Sequence, residues 1–265
     1  MKRVATLGIE TAVFERGSGP PILLLHGNPD THHVWDPLVE RLEAKHRCVT
    51  PDLPGYGETR IDDSFDFSVA NQGAWVNALV EVLGLGRVHL GVHDVGGAYG
   101  LSFAAQFPEK LASLTIFNAG FTPDQQWHFW ARVWRAPVLG ELAMKLSTRG
   151  LFVSEMLKGG PKLKREYAEE AWKRYTPETR RQVLRWYRFM TFEKVLAGWD
   201  TRLRSAIANV PRRVLWGARD PYIPTSVRDR FEVPDVHEFA DCGHWVMLEA
   251  PDEAARDIAE LVNRS

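Results

Sequence analysis

The stretch "VHLGVHDVGGAYGLSFAAQF", Val88 to Phe107, constrains the chain more than any other. The apolar run Val88–Leu90 lies in "RVHLGVHD", which reads as a buried strand. The run from Gly96 onward has helical spacing and stops at Pro108. The chain must turn sharply between the two, and Gly96 and Gly97 are small enough to allow it. A strand that feeds directly into a helix is the repeating unit of a parallel sheet. Asp94 stands at the apex of the turn, where the strand ends and the helix begins.

The same rhythm recurs on both sides. "RVATLGIETAVFERG" reads as β structure, "ILLLHGNP" as an apolar strand ending in a turn, and "VWDPLVERL" as a helix. "HRCVTPDLPGYG" is a strand followed by a Pro/Gly loop, "VANQGAWVNALVEVLG" an amphipathic helix, and "LASLTIFNAG" another strand. Strands alternating with helices predict a doubly wound, mainly parallel sheet. The pattern breaks after Gly120. Residues 121–210 contain no long apolar strand and hold six of the ten tryptophans at helical spacings. It resumes with "RRVLWGARDP", "PTSVRDRF", "VHEFADCGH" and a last helix in "PDEAARDIAELVNR". The expected organisation is an α/β core of residues 1–120 and 211–265, interrupted by a helical cap at 121–210.

Composition excludes several classes. The 265 residues are 45% hydrophobic, enough for a sizeable core. The net charge of −1 gives no general electrostatic reason to bind nucleic acid or an anionic membrane. The Arg and Lys residues of the 121–210 segment are interleaved with Glu166, Glu169, Glu170 and Glu178, as on solvated helix faces. No apolar run approaches the ~20 residues that span a bilayer, and "MKRVATLGIE" lacks the apolar core of a signal peptide. Cys48 and Cys242 have no metal-ligand spacing. A cytoplasmic monomer or homodimer without metal or organic cofactor is expected.

Three residues follow predicted sheet strands in the order Asp94, Asp220, His244. In an open α/β sheet all three converge at the carboxyl edge, where ligands bind. The order carboxylate, acid, His and the motifs "HGNPDTHHVW", "DLPGYGET", "GVHDVGGAYG", "WGARDPYIP" and "CGHWVMLEAPDE" resemble the α/β-hydrolase superfamily. Within it they are similar to the branch with an Asp nucleophile, which contains epoxide hydrolases and haloalkane dehalogenases. The resemblance covers nearly the whole chain except the middle of the cap. It implies an α/β-hydrolase fold and a small apolar electrophilic substrate.

The chemistry of the residues agrees. An Asp at a turn is often only a helix N-cap; here Asp220 and His244 stand at matching later turns. A carboxylate attacks a saturated carbon bearing a leaving group without help from a base and forms an ester. His244 would activate water to hydrolyse that ester, and Asp220 would orient His244. The backbone N–H groups of Asn28 and Val95 would hold the oxyanion. His26 and His93 read as supporting residues, and Cys242 as packing.

The two neighbouring activities place different demands on the leaving-group site. "HGNP" resembles the dehalogenase loop whose Asn side chain, here Asn28, donates to halide. Those enzymes carry Trp directly after the nucleophile as a second donor, and here that position is Val95. Trp127, Trp130 or Trp134 of the cap could replace it and roof the pocket. "VLRWYRFM" resembles the epoxide hydrolase segment that carries a ring-opening tyrosine, here Tyr187. A phenol can protonate a departing alkoxide. The second tyrosine usual in those enzymes has no counterpart between Phe121 and Tyr167, leaving Tyr167, Tyr175 or His128 as substitutes. Val95 also replaces the Arg by which fluoroacetate dehalogenases hold a carboxylate. Epoxide hydrolysis is the leading expectation and haloalkane dehalogenation the alternative, with ester or lactone hydrolysis and a non-catalytic binding module as further readings.

Overall fold

The central apolar runs become strands buried along nearly all their length, while the outer strands are partly exposed. The computed structural model describes residues 1–265. Its strands are β1 (Lys2–Thr6), β2 (Ile9–Arg16), β3 (Pro21–Leu25), β4 (Arg47–Pro51), β5 (Val88–His93), β6 (Leu111–Phe117), β7 (Arg212–Gly217) and β8 (Val236–Phe239). They form one sheet in the order β1-β2-β4-β3-β5-β6-β7-β8. β1 pairs antiparallel with β2, and β2 with β4; every other pairing is parallel. Every residue of β5 is buried, as a strand covered on both faces requires.

The strand order explains where the site lies. From β3 the chain passes to β4 on one side, whereas β5 lies on the other side of β3. The loops leaving the carboxyl ends of β3 and β5 therefore diverge and open a crevice between them. Asn28 follows β3 and Asp94 follows β5, with Leu25 and Val92 in register beside them.

Helices α1 (Asp36–Leu42), α2 (Val69–Val82) and α3 (Val95–Gln106) precede the long insertion. Seven helices and no strand separate β6 from β7: α4 (Phe129–Arg135), α5 (Leu139–Leu146), α6 (Arg149–Gly159), α7 (Arg165–Arg174), α8 (Pro177–Phe189), α9 (Phe192–Val195) and α10 (Trp199–Ala206). Helices α11 (Thr225–Asp229), α12 (Val246–Glu249) and α13 (Pro251–Asn263) complete the chain. α1 packs on α13 and α2 on α3, flanking the sheet as two pairs.

Helix α8 shows how the sequence shapes the cap. The Thr176 side chain accepts from the N–H of Thr179 at 3.2 Å, and Pro177 starts the first turn. Thr179, Gln182, Val183, Trp186 and Tyr187 are buried at spacings of three and four, which form one inward stripe. At the far end the Arg135 guanidinium donates to the carbonyls of Tyr187 and Met190, groups that a helix end leaves unpaired. Losing the Thr176 cap would cost about 1 kcal/mol.

Candidate active site

Asp94 opens helix α3 with φ 48° and ψ −118°. A non-glycine residue there stores roughly 1–3 kcal/mol of strain, which the surrounding structure must hold. Two glycines make the tight approach possible. A Cβ on Gly96 would lie 2.3 Å from the Leu25 carbonyl oxygen, and one on Gly27 would lie 2.4 Å from the Cβ of Asp94. The Asp94 carboxylate then accepts the Asn28 N–H at 2.7 Å through Oδ1, and the Val95 N–H acts on it too. Burial raises the Asp94 pKa, while the His244 charge and these two N–H groups pull it back.

His244 follows β8 on a loop held from several sides. Its backbone N–H donates to the Gly159 carbonyl at the end of α6 at 2.7 Å, and Glu249 accepts the Gly243 N–H at 3.0 Å. His93 Nε2 meets the His244 carbonyl at 3.0 Å, which makes His93 a supporting residue. The His244 Nδ1 lies 2.7 Å from Asp220 Oδ2, and its Nε2 faces Asp94 Oδ2 at 3.7 Å. Burial opposes the imidazolium, but Asp220 and Asp94 outweigh it and push the His244 pKa up to about 9. Asp220 is itself fixed. Its Oδ1 accepts from the N–H of Tyr222 at 2.7 Å and of Ile223 at 3.2 Å, and Asn118 Nδ2 donates to Oδ2 at 2.8 Å. The three residues that stand far apart in sequence thus share one site.

Above Asp94 and His244 lies a cavity of about 100 Å³, several times the volume one water needs. Asn28, Asp94, Tyr222, His244 and Trp245 line it from the core; His128, Trp130, Trp134, Met144, Phe152, Glu155, Met156, Tyr175 and Tyr187 line it from the cap. The Tyr187 ring is buried, and burial and the nearby Asp94 charge raise its hydroxyl pKa well above the usual value. It therefore stays protonated at neutral pH. The Asn28 side chain acts on the same hydroxyl and favours its ionised form. His128 accepts the Ala131 N–H through Nδ1 at 3.4 Å, and burial lowers its pKa to about 4. Its neutral ring therefore carries its proton on Nε2.

Several expected positions differ in the structure. Trp130 and Trp134 line the cavity, but Trp127 does not. It stacks on Phe192 with centroids 3.8 Å apart and carries Arg135 on its face, so it faces a smaller neighbouring space beside Val95. The Trp130 indole N–H is taken by Glu155 at 3.0 Å. Tyr167 also lies outside the cavity, because its hydroxyl donates to Asp30 Oδ1 at 2.7 Å. Tyr175 lines the wall, with its hydroxyl on Met144 Sδ at 3.5 Å. No three His, Cys, Asp or Glu side chains converge as a metal site. Sequence reasoning missed Asn118, Tyr222 and Asp30. Asn118 carried a signal: it is the polar residue directly after the apolar strand β6.

Comparison with known proteins shows the family. A model of the alpha/beta hydrolase family matches residues 22–257. The chain belongs to the alpha/beta hydrolase family. It is 28% identical to a cis-3-alkyl-4-alkyloxetan-2-one decarboxylase from Shewanella oneidensis, over 95% of this chain and 85% of that protein. It is 24% identical to haloalkane dehalogenase 2 of Mycobacterium tuberculosis, over 93% of this chain and 89% of that one. An epoxide hydrolase from Vigna radiata superposes with a TM-score of 0.80 at 22% identity, covering 100% and 98% of the two chains. As an alpha/beta hydrolase the chain is an enzyme, and both expected neighbours are among the proteins it is similar to. No helix is long and apolar enough to cross a membrane.

Proposed function

We propose that the chain opens strained oxygen rings, with epoxide hydrolysis to a diol as the leading activity. The observation that carries this reading is the protonated Tyr187 hydroxyl, buried in the cavity wall and within the field of Asp94. An Asp94 oxygen attacks one ring carbon, the carbon–oxygen bond breaks, and its electron pair goes to the ring oxygen. Tyr187 gives that oxygen its proton, and the neutral His128 N–H is the second donor in place of a second tyrosine. Neutral His244 then takes a proton from water, and the hydroxide attacks the Asp94 ester carbon. The N–H groups of Asn28 and Val95 hold the resulting oxyanion. Collapse breaks the bond to the second substrate oxygen, which takes the proton held on His244; the proton left on the Asp94 carboxyl returns to the Tyr187 oxygen, restoring both groups. Asp220 keeps His244 oriented throughout.

A second substrate class is favoured by the similarity to the oxetanone decarboxylase. Attack by Asp94 on the saturated carbon beside the ring oxygen of a β-lactone would release a carboxylate next to the same two donors; the carbon–carboxylate bond then breaks as carbon dioxide, its electron pair forms an alkene, and the Asp94 carboxylate leaves. Halide has weaker support. Asn28 is in place, but Val95 has no side-chain donor and the Trp130 N–H already binds Glu155.

The deciding experiment offers the purified enzyme styrene oxide, a cis-3,4-dialkyl-oxetan-2-one and 1,2-dibromoethane in parallel. Diol formation is expected, with carbon dioxide release marking the second class. Bromide release without diol or carbon dioxide would overturn the reading. In the His244→Gln variant, intact-mass measurement should show a substrate adduct on Asp94. Turnover with no adduct in that variant would remove the covalent route.

A further inference from the structure

Six of the eleven large apolar side chains exposed in this chain fall within residues 129–151: Phe129, Val138, Leu139, Leu142, Leu146 and Leu151. Leu139, Leu142 and Leu146 are spaced by three and four and form one stripe along α5. They are 57%, 48% and 64% exposed, so the stripe faces solvent. The opposite face of α5 carries Met144, which is buried and lines the cavity, with Ala143 on the flank between. The helix is therefore apolar on both faces, and only the inner one is covered. Leu151 lies at the start of α6, half exposed and lining the cavity, so the outer patch reaches the edge of the pocket.

Charge indicates what covers the patch. Of the cations in residues 129–151, Arg149 pairs with Glu169 and Arg135 is turned inward onto the Met190 carbonyl and the Trp127 face, which leaves Arg132 and Lys145; the one acid is Glu141. Glu141 is neutralised by Arg188. Arg132 and Lys145 are exposed, so the leucine stripe is bordered by positive charge. An apolar helix face flanked by cations matches an anionic lipid surface, which accepts the leucines below the headgroups and the cations among the phosphates. A second copy packed symmetrically on this face would bring like charges together.

We propose that the outer face of α5, with Phe129, Val138 and Leu151, docks the enzyme on anionic phospholipid and presents the mouth of the cavity to the bilayer. The net charge of −1 hides this, because an average over the chain says nothing of one helix face. The docking surface is independent of which ring the site opens.

The test is co-sedimentation with vesicles of pure phosphatidylcholine and of equimolar phosphatidylcholine and phosphatidylglycerol. Binding to the mixed vesicles, weakened by salt, is expected. Leu142→Glu with Leu146→Glu should weaken it by at least about tenfold, because two burials are lost and two anions added. Lys145→Glu should weaken it without touching the leucines. All three side chains are exposed and outside the cavity lining, so circular dichroism and turnover of a water-soluble substrate should match the parent enzyme. No vesicle binding, equal binding to both compositions, or binding unchanged by these variants would overturn the proposal. So would a concentration-dependent dimer in sedimentation velocity that Leu142→Glu abolishes.

Discussion

The Tyr167 hydroxyl of helix α7 donates to Asp30 Oδ1 at 2.7 Å, joining the insertion to the loop after β3. The other Asp30 oxygen accepts from the Trp245 indole at 2.7 Å, one residue beyond His244. Burial lifts the Asp30 carboxyl to about 6 against the pull of these two donors. One carboxylate thus ties a cap helix, the Asn28 loop and the His244 loop together.

Asp30→Ala leaves two buried donors without a partner. Each such group costs about 1–3 kcal/mol, so a clear drop in thermal midpoint is expected. Tyr167→Phe should cost less, since it removes a donor and keeps the ring. The two changes together should cost less than their sum, because they break the same bond. Strict additivity in a double-mutant cycle would show that the contact carries no coupling.

Tyr187→Phe keeps the packing of the buried ring and removes its proton. The rate of adduct formation with an epoxide should fall roughly 100-fold, the usual effect of losing one positioned donor. The circular dichroism should not change. An unchanged single-turnover rate would remove the proposed role of Tyr187.

The His244 pKa of about 9 belongs to the free enzyme, where Asp94 carries a negative charge. Forming the ester neutralises Asp94 and removes one of the groups that raise it. The pKa in the ester should then lie below 9. Ester hydrolysis needs neutral His244, so its rate should rise with pH through that lower value and level off above it. Pre-steady-state measurements across pH would show this directly. An inflection at or above 9 would contradict the assigned role of Asp94 as a charge beside His244.

Asn118 connects Asp220 to the sheet, because its Nδ2 donates to Asp220 and its Oδ1 accepts the Gly217 N–H at 2.9 Å. Asn118→Ala should slow ester hydrolysis roughly tenfold, the equivalent of about 1.4 kcal/mol, through a less firmly held Asp220. Adduct formation should be nearly unaffected. Equal loss in both steps would point to general disorder at the site instead of a positioning effect.

The readable parts of the chain were those whose causes are local. A short apolar run such as Val88–Leu90, bounded by turn residues, favours a covered strand, and Gly96 and Gly97 allow the sharp turn at Asp94. Asp220 and His244 lie on the loops that follow later strands. These features depend on near neighbours, so the sequence by itself determined the sheet, the turn and the order of the three residues. The cap was different. Its helices are apolar on more than one face, and the spacing of Trp127, Trp130 and Trp134 does not say which face meets the pocket. Tertiary packing placed Trp127 on Phe192, turned Tyr167 to Asp30 and brought Asn118 under Asp220. Each depends on a partner tens of residues away or more, and no local pattern encodes such a pairing.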